Sequence, residues 1–255
     1  MSNRNRFLSS SNPFLSDNAL EKSADSQSNS GLSTSNAGHM TVSGAVNKSL
    51  IMGAILLGTG FLSATLLNPM LMWIGVIGGL ICVLAASFRP NTAPITAPLY
   101  AAFEGLALGT ISGIYANHLG YGVVANSVML TLLALFVMLT LYKTGIIKPT
   151  EKFKSIVMTA TGAIAVIYLV NMVMHMFGSG IPYLHEMNPI GIGISLLIIA
   201  VASLNLILDF DQFEKGEQMQ APKHYEWLAA LGLMVTLVWL YIEILRLVAM
   251  FSGRD

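Results

Sequence analysis

The chain has 255 residues, of which 54% are hydrophobic and only 10% charged, with a mean hydropathy of +0.67. Soluble domains carry roughly a quarter charged residues, so this composition excludes a water-soluble globule. The 13 basic residues balance 13 acidic ones, which excludes an electrostatic platform for nucleic acid, and the one cysteine, Cys82, excludes an intramolecular disulfide framework and any cysteine-based zinc or redox motif.

Residues 1–45 read as a disordered cytoplasmic tail. They are rich in Ser and Asn and lack the apolar density that would offset the entropy of ordering a backbone. Arg4 and Arg6 are followed by no apolar stretch of the signal-peptide kind, and Asn12-Pro13-Phe14 reads as a turn. From Ser49 to Phe88 the chain has no Asp, Glu, Lys, Arg or His, and the run is broken only by Asn68-Pro69-Met70. Each half has the ~20 residues that a helix needs to cross a ~30 Å hydrocarbon core. The same criterion gives spans over Ser49 to Leu67, Met70 to Phe88, Thr96 to Ala116, Gly122 to Tyr142, Ser155 to Phe177, Pro189 to Leu208 and Trp227 to Phe251. Their length predicts helices, since a barrel strand needs only ~10 residues in strict alternation. Pro69, Pro94, Pro149, Pro182 and Pro222 punctuate the connections. The expected fold is therefore an all-α membrane protein, a seven-transmembrane helix bundle over residues 46–252.

Basic residues set its orientation. Arg4, Arg6, Lys22 and Lys48 precede the first span; Arg89, then Lys143, Lys148, Lys152 and Lys154, then Lys215 and Lys223 fall in the second, fourth and sixth connections. The other three connections have none. This alternation predicts a cytoplasmic amino terminus, with the carboxyl terminus outside if the seventh segment crosses fully. Gly105, Gly109 and Gly113 in the third span, and Gly75 and Gly79 in the second, predict close helix contacts.

Ionisable side chains inside a bilayer are costly, so those that persist are candidate functional groups. Glu104 lies in the third span, Asp209 and Asp211 close the sixth, and Glu243 and Arg246 lie in the seventh. Asn205 and Asp209 are spaced i, i+4 and share a helix face, with Gln212 one turn further, whereas Asp211 points elsewhere; Asp209 is the better candidate for an interior site. Thr236 and Glu243 share a face of the seventh helix, and Arg246 is placed to form an intrahelical ion pair with Glu243. His175, and His185 next to Glu186, read as interface polarity. Gly178-Ser179-Gly180 has no partner histidine to make a nucleophile, and neither a phosphate loop nor a dinucleotide fingerprint is present, so an enzyme is not expected and no cofactor is implied.

The stretches Glu104-Gly105-Leu106-Ala107-Leu108-Gly109, Leu206-Ile207-Leu208-Asp209-Phe210-Asp211-Gln212 and Trp239-Leu240-Tyr241-Ile242-Glu243-Ile244-Leu245-Arg246 occur in that order on the third, sixth and seventh helices. In this the chain resembles the transmembrane Bax-inhibitor-motif proteins, and among them the bacterial branch with a polar amino-terminal extension, over roughly residues 40 to 252. The resemblance implies a central seventh helix wrapped by six others, in a bacterial inner membrane, and a pH-sensitive calcium leak gated by two carboxylates. These fall on Asp209 and Glu243, which would also be the calcium ligands, with Asn205, Asp211, Glu104 and Arg246 as supporting polar groups and Arg89 as the best match to an arginine that pairs with the site in some members. Glu243 stands where the family pattern has Asp, and Arg246 is an addition. Chemically, protons and a hard cation such as calcium can compete for the same carboxylate oxygens. The expected partners are the lipid bilayer, calcium and protons. The alternative is a non-conducting integral membrane regulator of a membrane protease or stress response.

Overall fold

The computed structural model describes residues 38–178 and 188–253. Seven helices account for nearly all of them: α1 (Val42–Leu66), α2 (Pro69–Phe88), α3 (Ala93–Leu119), α4 (Tyr121–Lys143), α5 (Glu151–Met176), α6 (Pro189–Gln218) and α7 (Tyr225–Ser252), with a 3-10 turn at Pro90–Thr92. All seven are long and apolar enough to cross a membrane, and the fold is an all-α bundle. Helix starts follow from local chemistry. The side chains of Thr41, Asn68, Thr150 and Asn188 each accept a hydrogen bond from a backbone N–H of the first turn, and Pro69 and Pro189 occupy first-turn positions where no N–H is needed.

The largest differences from the sequence expectation are at two boundaries. Helix α6 does not stop at Leu208 but continues to Gln218, because Phe210 and Phe213 keep an apolar face buried and no proline intervenes. The ordered bundle also begins before residue 46: Thr41 caps α1 and Met40 is buried. Residues 1–37 of the expected tail lie outside the described residues, as do Ser179, His185, Glu186 and the carboxyl-terminal Arg254 and Asp255.

The bundle is organised around α7, the most buried span. It packs directly on α1, α3, α4 and α6, while α2 docks on α3, and α5 docks on α6. The seventh helix is thus central, with four direct neighbours and two outer helices rather than six equal ones. Contact between α1 and α3 is the closest in the bundle. A Cβ added at Gly109 would overlap the backbone of Gly60, and one at Gly105 would overlap Thr59 and the Leu56 carbonyl. The Ser63 hydroxyl, buried in this contact, lies 2.7 Å from the Leu106 carbonyl and 2.6 Å from the Thr110 hydroxyl. Gly75 and Gly79 of α2 meet α3 in the same way, at the Phe103 carbonyl and the Glu104 side chain.

Every described Lys and Arg except Arg246 lies at one end of the bundle, where α1, α3, α5 and α7 start. There Glu226, with 0% of its surface exposed, ties the segment before α1 to the start of α7. Its Oε1 accepts from the Thr41 amide (3.1 Å) and lies 2.9 Å from Lys223 Nζ, and its Oε2 lies 3.0 Å from Lys48 Nζ. The strap is extended by Met40 N donating to the Ala221 carbonyl (2.7 Å) and Val42 N donating to Glu217 (3.1 Å).

Two outcomes are expected in detergent. Gly109→Leu forces the α1 and α3 backbones apart and costs more than ~4 kcal/mol, read as loss of the monodisperse species in size-exclusion chromatography; Gly58→Leu, whose Cβ would meet nothing, elutes as wild type. Glu226→Gln removes the centre of a buried ionic cluster and lowers stability by about 3 kcal/mol in thermal melts. An unchanged melting temperature would show that the clasp is ornamental.

Candidate functional site

Two clusters of polar side chains lie on one side of α7. The first surrounds Asp209. With α6 extending to Gln218, Asp209 lies well inside the helix, and it faces α7 at Gly232 and Thr236: a Cβ on Gly232 would lie 3.6 Å from Asp209 Oδ1 and 3.8 Å from Gln212 Oε1. The carboxyl is within hydrogen-bonding reach of the buried Thr236 hydroxyl. That hydroxyl is also 3.3 Å from the Gly232 carbonyl, and its single proton can serve only one of the two acceptors at a time. Oδ2 of Asp209 is buried and has no hydrogen-bond partner among the described residues. Gln212, one turn nearer the lysine-rich end, lines a cavity of about 570 Å³ together with Met40, Asp211, Lys215 and Tyr225. Asp209 therefore sits one helical turn inward from a cavity at that end.

The second cluster is built on Glu243, which is 1% exposed. The Tyr168 hydroxyl, from α5, donates to Glu243 Oε1 at 2.5 Å. Arg246 Nη1 donates to Oε2 at 3.1 Å and lies 3.3 Å from the Tyr168 hydroxyl, with its guanidinium 5.9 Å from the Tyr168 ring centre. The intrahelical pair expected between Glu243 and Arg246 is present, completed by a tyrosine from another helix.

Asp209 and Glu243 do not meet. Asp209 lies against Thr236, and two helical turns, about 10 Å, separate Thr236 from Glu243 along α7. A calcium ion bound to both would need oxygens at roughly 2.3–2.6 Å from one point, so the pair forms two successive acidic positions rather than one shared site. Among the described residues, no three His, Cys, Asp or Glu side chains converge to hold a metal.

The supporting residues divide. Asn205 does not continue the Asp209 stripe into the same site: its amide donates to Thr161 of α5 (2.7 Å) and to the Val201 carbonyl. The i, i+4 offset falls where α6 passes between α5 and α7, so the two side chains serve different neighbours. Asp211 points away, as helical spacing predicts, and pairs with Lys154 (2.9 Å) and Lys215 (3.0 Å). Glu104 lies half-buried over Gly79, remote from both clusters on the α2–α3 side. Arg89 is exposed at the end of α2 and forms no ion pair among the described residues, so the expected pairing with the acidic site is not made. Glu226 and Tyr168 were not singled out from sequence. Lys223 three residues before Glu226, at a helix start, is a local signal for the first; Tyr168 carries none beyond its polar tip.

No individual curated protein matches the chain. A family model described as Bax inhibitor 1 like matches residues 12–253, nearly the whole chain. With its seven-helix bundle and that match, the protein belongs to the Bax inhibitor 1 like family of membrane proteins.

Proposed function

We propose that the protein is a pH-sensitive calcium leak of a bacterial inner membrane, with its lysine-rich end cytoplasmic, Asp209 as the titrating sensor and Glu243 as a second acidic station. The observation that carries this reading is the carboxyl of Asp209, held inside the bundle one turn from a cavity and with Oδ2 unpartnered among the described residues. A carboxylate in a low-dielectric interior is stable only when its charge is matched. It takes up either a proton or a cation, and the two compete for the same oxygens. Calcium accepts carboxylate, amide and water oxygens in flexible number. One carboxylate with Gln212 and Thr236 gives an incomplete set, which suits transit better than storage.

The sign of the pH dependence follows. Protonated Asp209 offers no charge to a cation, so flux falls on acidification and recovers as the carboxyl ionises. Glu243 is held by Arg246 and by the Tyr168 hydroxyl. The role proposed is transport rather than catalysis.

Topology is checked with reporter fusions, which should place the connection around Pro149 in the cytoplasm and that around Pro182 outside; the reverse result overturns the orientation. Function is checked by calcium entry into dye-loaded proteoliposomes across roughly pH 5 to 8, where carboxylates and their neighbours titrate. Wild type should conduct more at the alkaline end. Asp209→Asn, nearly isosteric, should lose the pH response while melting like wild type, and Asp211→Asn, which alters only the Lys154 and Lys215 pairs, should keep it. Wild-type flux no greater than that of empty liposomes would replace this reading with a non-conducting regulator of a membrane protease or stress response.

A further inference from the structure

The face of α7 opposite Thr236 and Glu243 lines a second cavity, of about 540 Å³, that none of the transport chemistry uses. Its floor is α3 and α7, with Leu108 and Gly109 on one and Met234 and Val238 on the other; its walls are α1 and α4. These two walls do not form a helix–helix interface of their own. The reason is visible in the glycines: α1 is drawn so tightly onto α3 at Gly60 and Gly109 that it leaves a gap toward α4.

We propose that this crevice is a binding site for one acyl chain of a bilayer phospholipid. Its lining is almost wholly apolar, and its polar groups are spoken for: the Ser112 and Tyr241 hydroxyls at the floor bond each other at 2.7 Å, and Thr131 on the α4 wall bonds the Ser127 carbonyl. A dry apolar space of this kind does not hold ordered water, which needs polar partners. The crevice runs along α1 from Gly53 to Ala64, ~17 Å at the helical rise. That matches the ~15 Å depth of one leaflet's hydrocarbon. It occupies the half of the bundle farther from the lysine-rich end, where α1 finishes and α4 begins. Its mouth is continuous with the lipid-facing surface, since Leu57 and Phe61 line it while remaining 65% and 76% exposed. The volume lies within the ~300–1,000 Å³ of ligand pockets. An acyl chain seated there packs against the reverse side of the helix that carries Thr236 and Glu243, and so braces the central helix from behind.

The test uses the full-length protein reconstituted with a phospholipid bearing a photoreactive diazirine on one acyl chain, with attachment sites mapped by mass spectrometry. Labelling should concentrate on Leu57, Phe61, Val128 and Leu132 several-fold over Met158 and Val166, which face lipid on α5 without a cavity. Val124→Phe with Val128→Phe fills the space from α4. It should remove the crevice labelling and leave that on α5 unchanged. A second measurement does not depend on the variant folding: delipidated wild type in detergent should melt several degrees higher when phospholipid is added back, by preferential binding to the folded state. Crevice labelling no greater than on α5, or no stabilisation by added phospholipid, would each overturn the assignment.

Discussion

The close approach of α1 to α3 is the constraint from which the rest of the arrangement follows. In hydrocarbon there is no hydrophobic drive to bring apolar helices together, so association rests on dispersion contacts that require backbones to come near, and on hydrogen bonds between them. Gly105, Gly109 and Gly113 remove the side chains that would hold α1 away, and Ser63 and Thr110 add a buried hydroxyl pair across the contact. Once α1 is committed to α3, it cannot also close on α4. The crevice is the geometric remainder of that commitment, and α7 forms its back wall.

Helix α7 is consequently two-sided. Toward the crevice it shows Met234, Leu237, Val238 and Tyr241; toward α5 and α6 it shows Thr236, Glu243 and Arg246. Polar groups in a membrane interior persist where other protein groups satisfy them, and here α6 supplies Asp209 and α5 supplies Tyr168. The outer helix α5 contributes little to the core, yet its Tyr168 hydroxyl makes the short bond that holds the Glu243 carboxylate. The polar interior therefore depends on a helix whose remaining surface is largely lipid-facing.

Membrane crossing, helix order and the charge asymmetry between the two ends were legible because each is written in one dimension: uninterrupted apolar runs, prolines between them, and lysines in alternate connections. The divergence of Asp209 from Asp211 was legible for the same reason, since two residues along a helix is a fixed rotation. What was not legible depends on which helices touch. Asn205 and Asp209 share a face by spacing, but α6 straddles two neighbours and the face is divided between them. Tyr168 and Glu243 are separated by 75 positions in the chain and acquire meaning only when the Tyr168 side chain reaches from α5 to α7. Arg89, matched by resemblance, stays at the surface because α2 docks on α3 and never reaches the acidic groups. Glu226 carried no reading in the sequence, and its burial follows from the strap before α1, which composition alone assigned to the tail.

The Glu226 clasp also has a temporal side. Thr41 and Glu226 are 185 positions apart, so at a synthesis rate of about 5–20 residues per second the first helix waits roughly 10–40 s for its last partner to be made. During that interval α1 can settle against α3, while Lys48 faces the membrane surface without its counter-ion. The start of the first helix is thus locked only when the ribosome has delivered the start of the last, and a chain truncated before α7 lacks the carboxylate that closes this end.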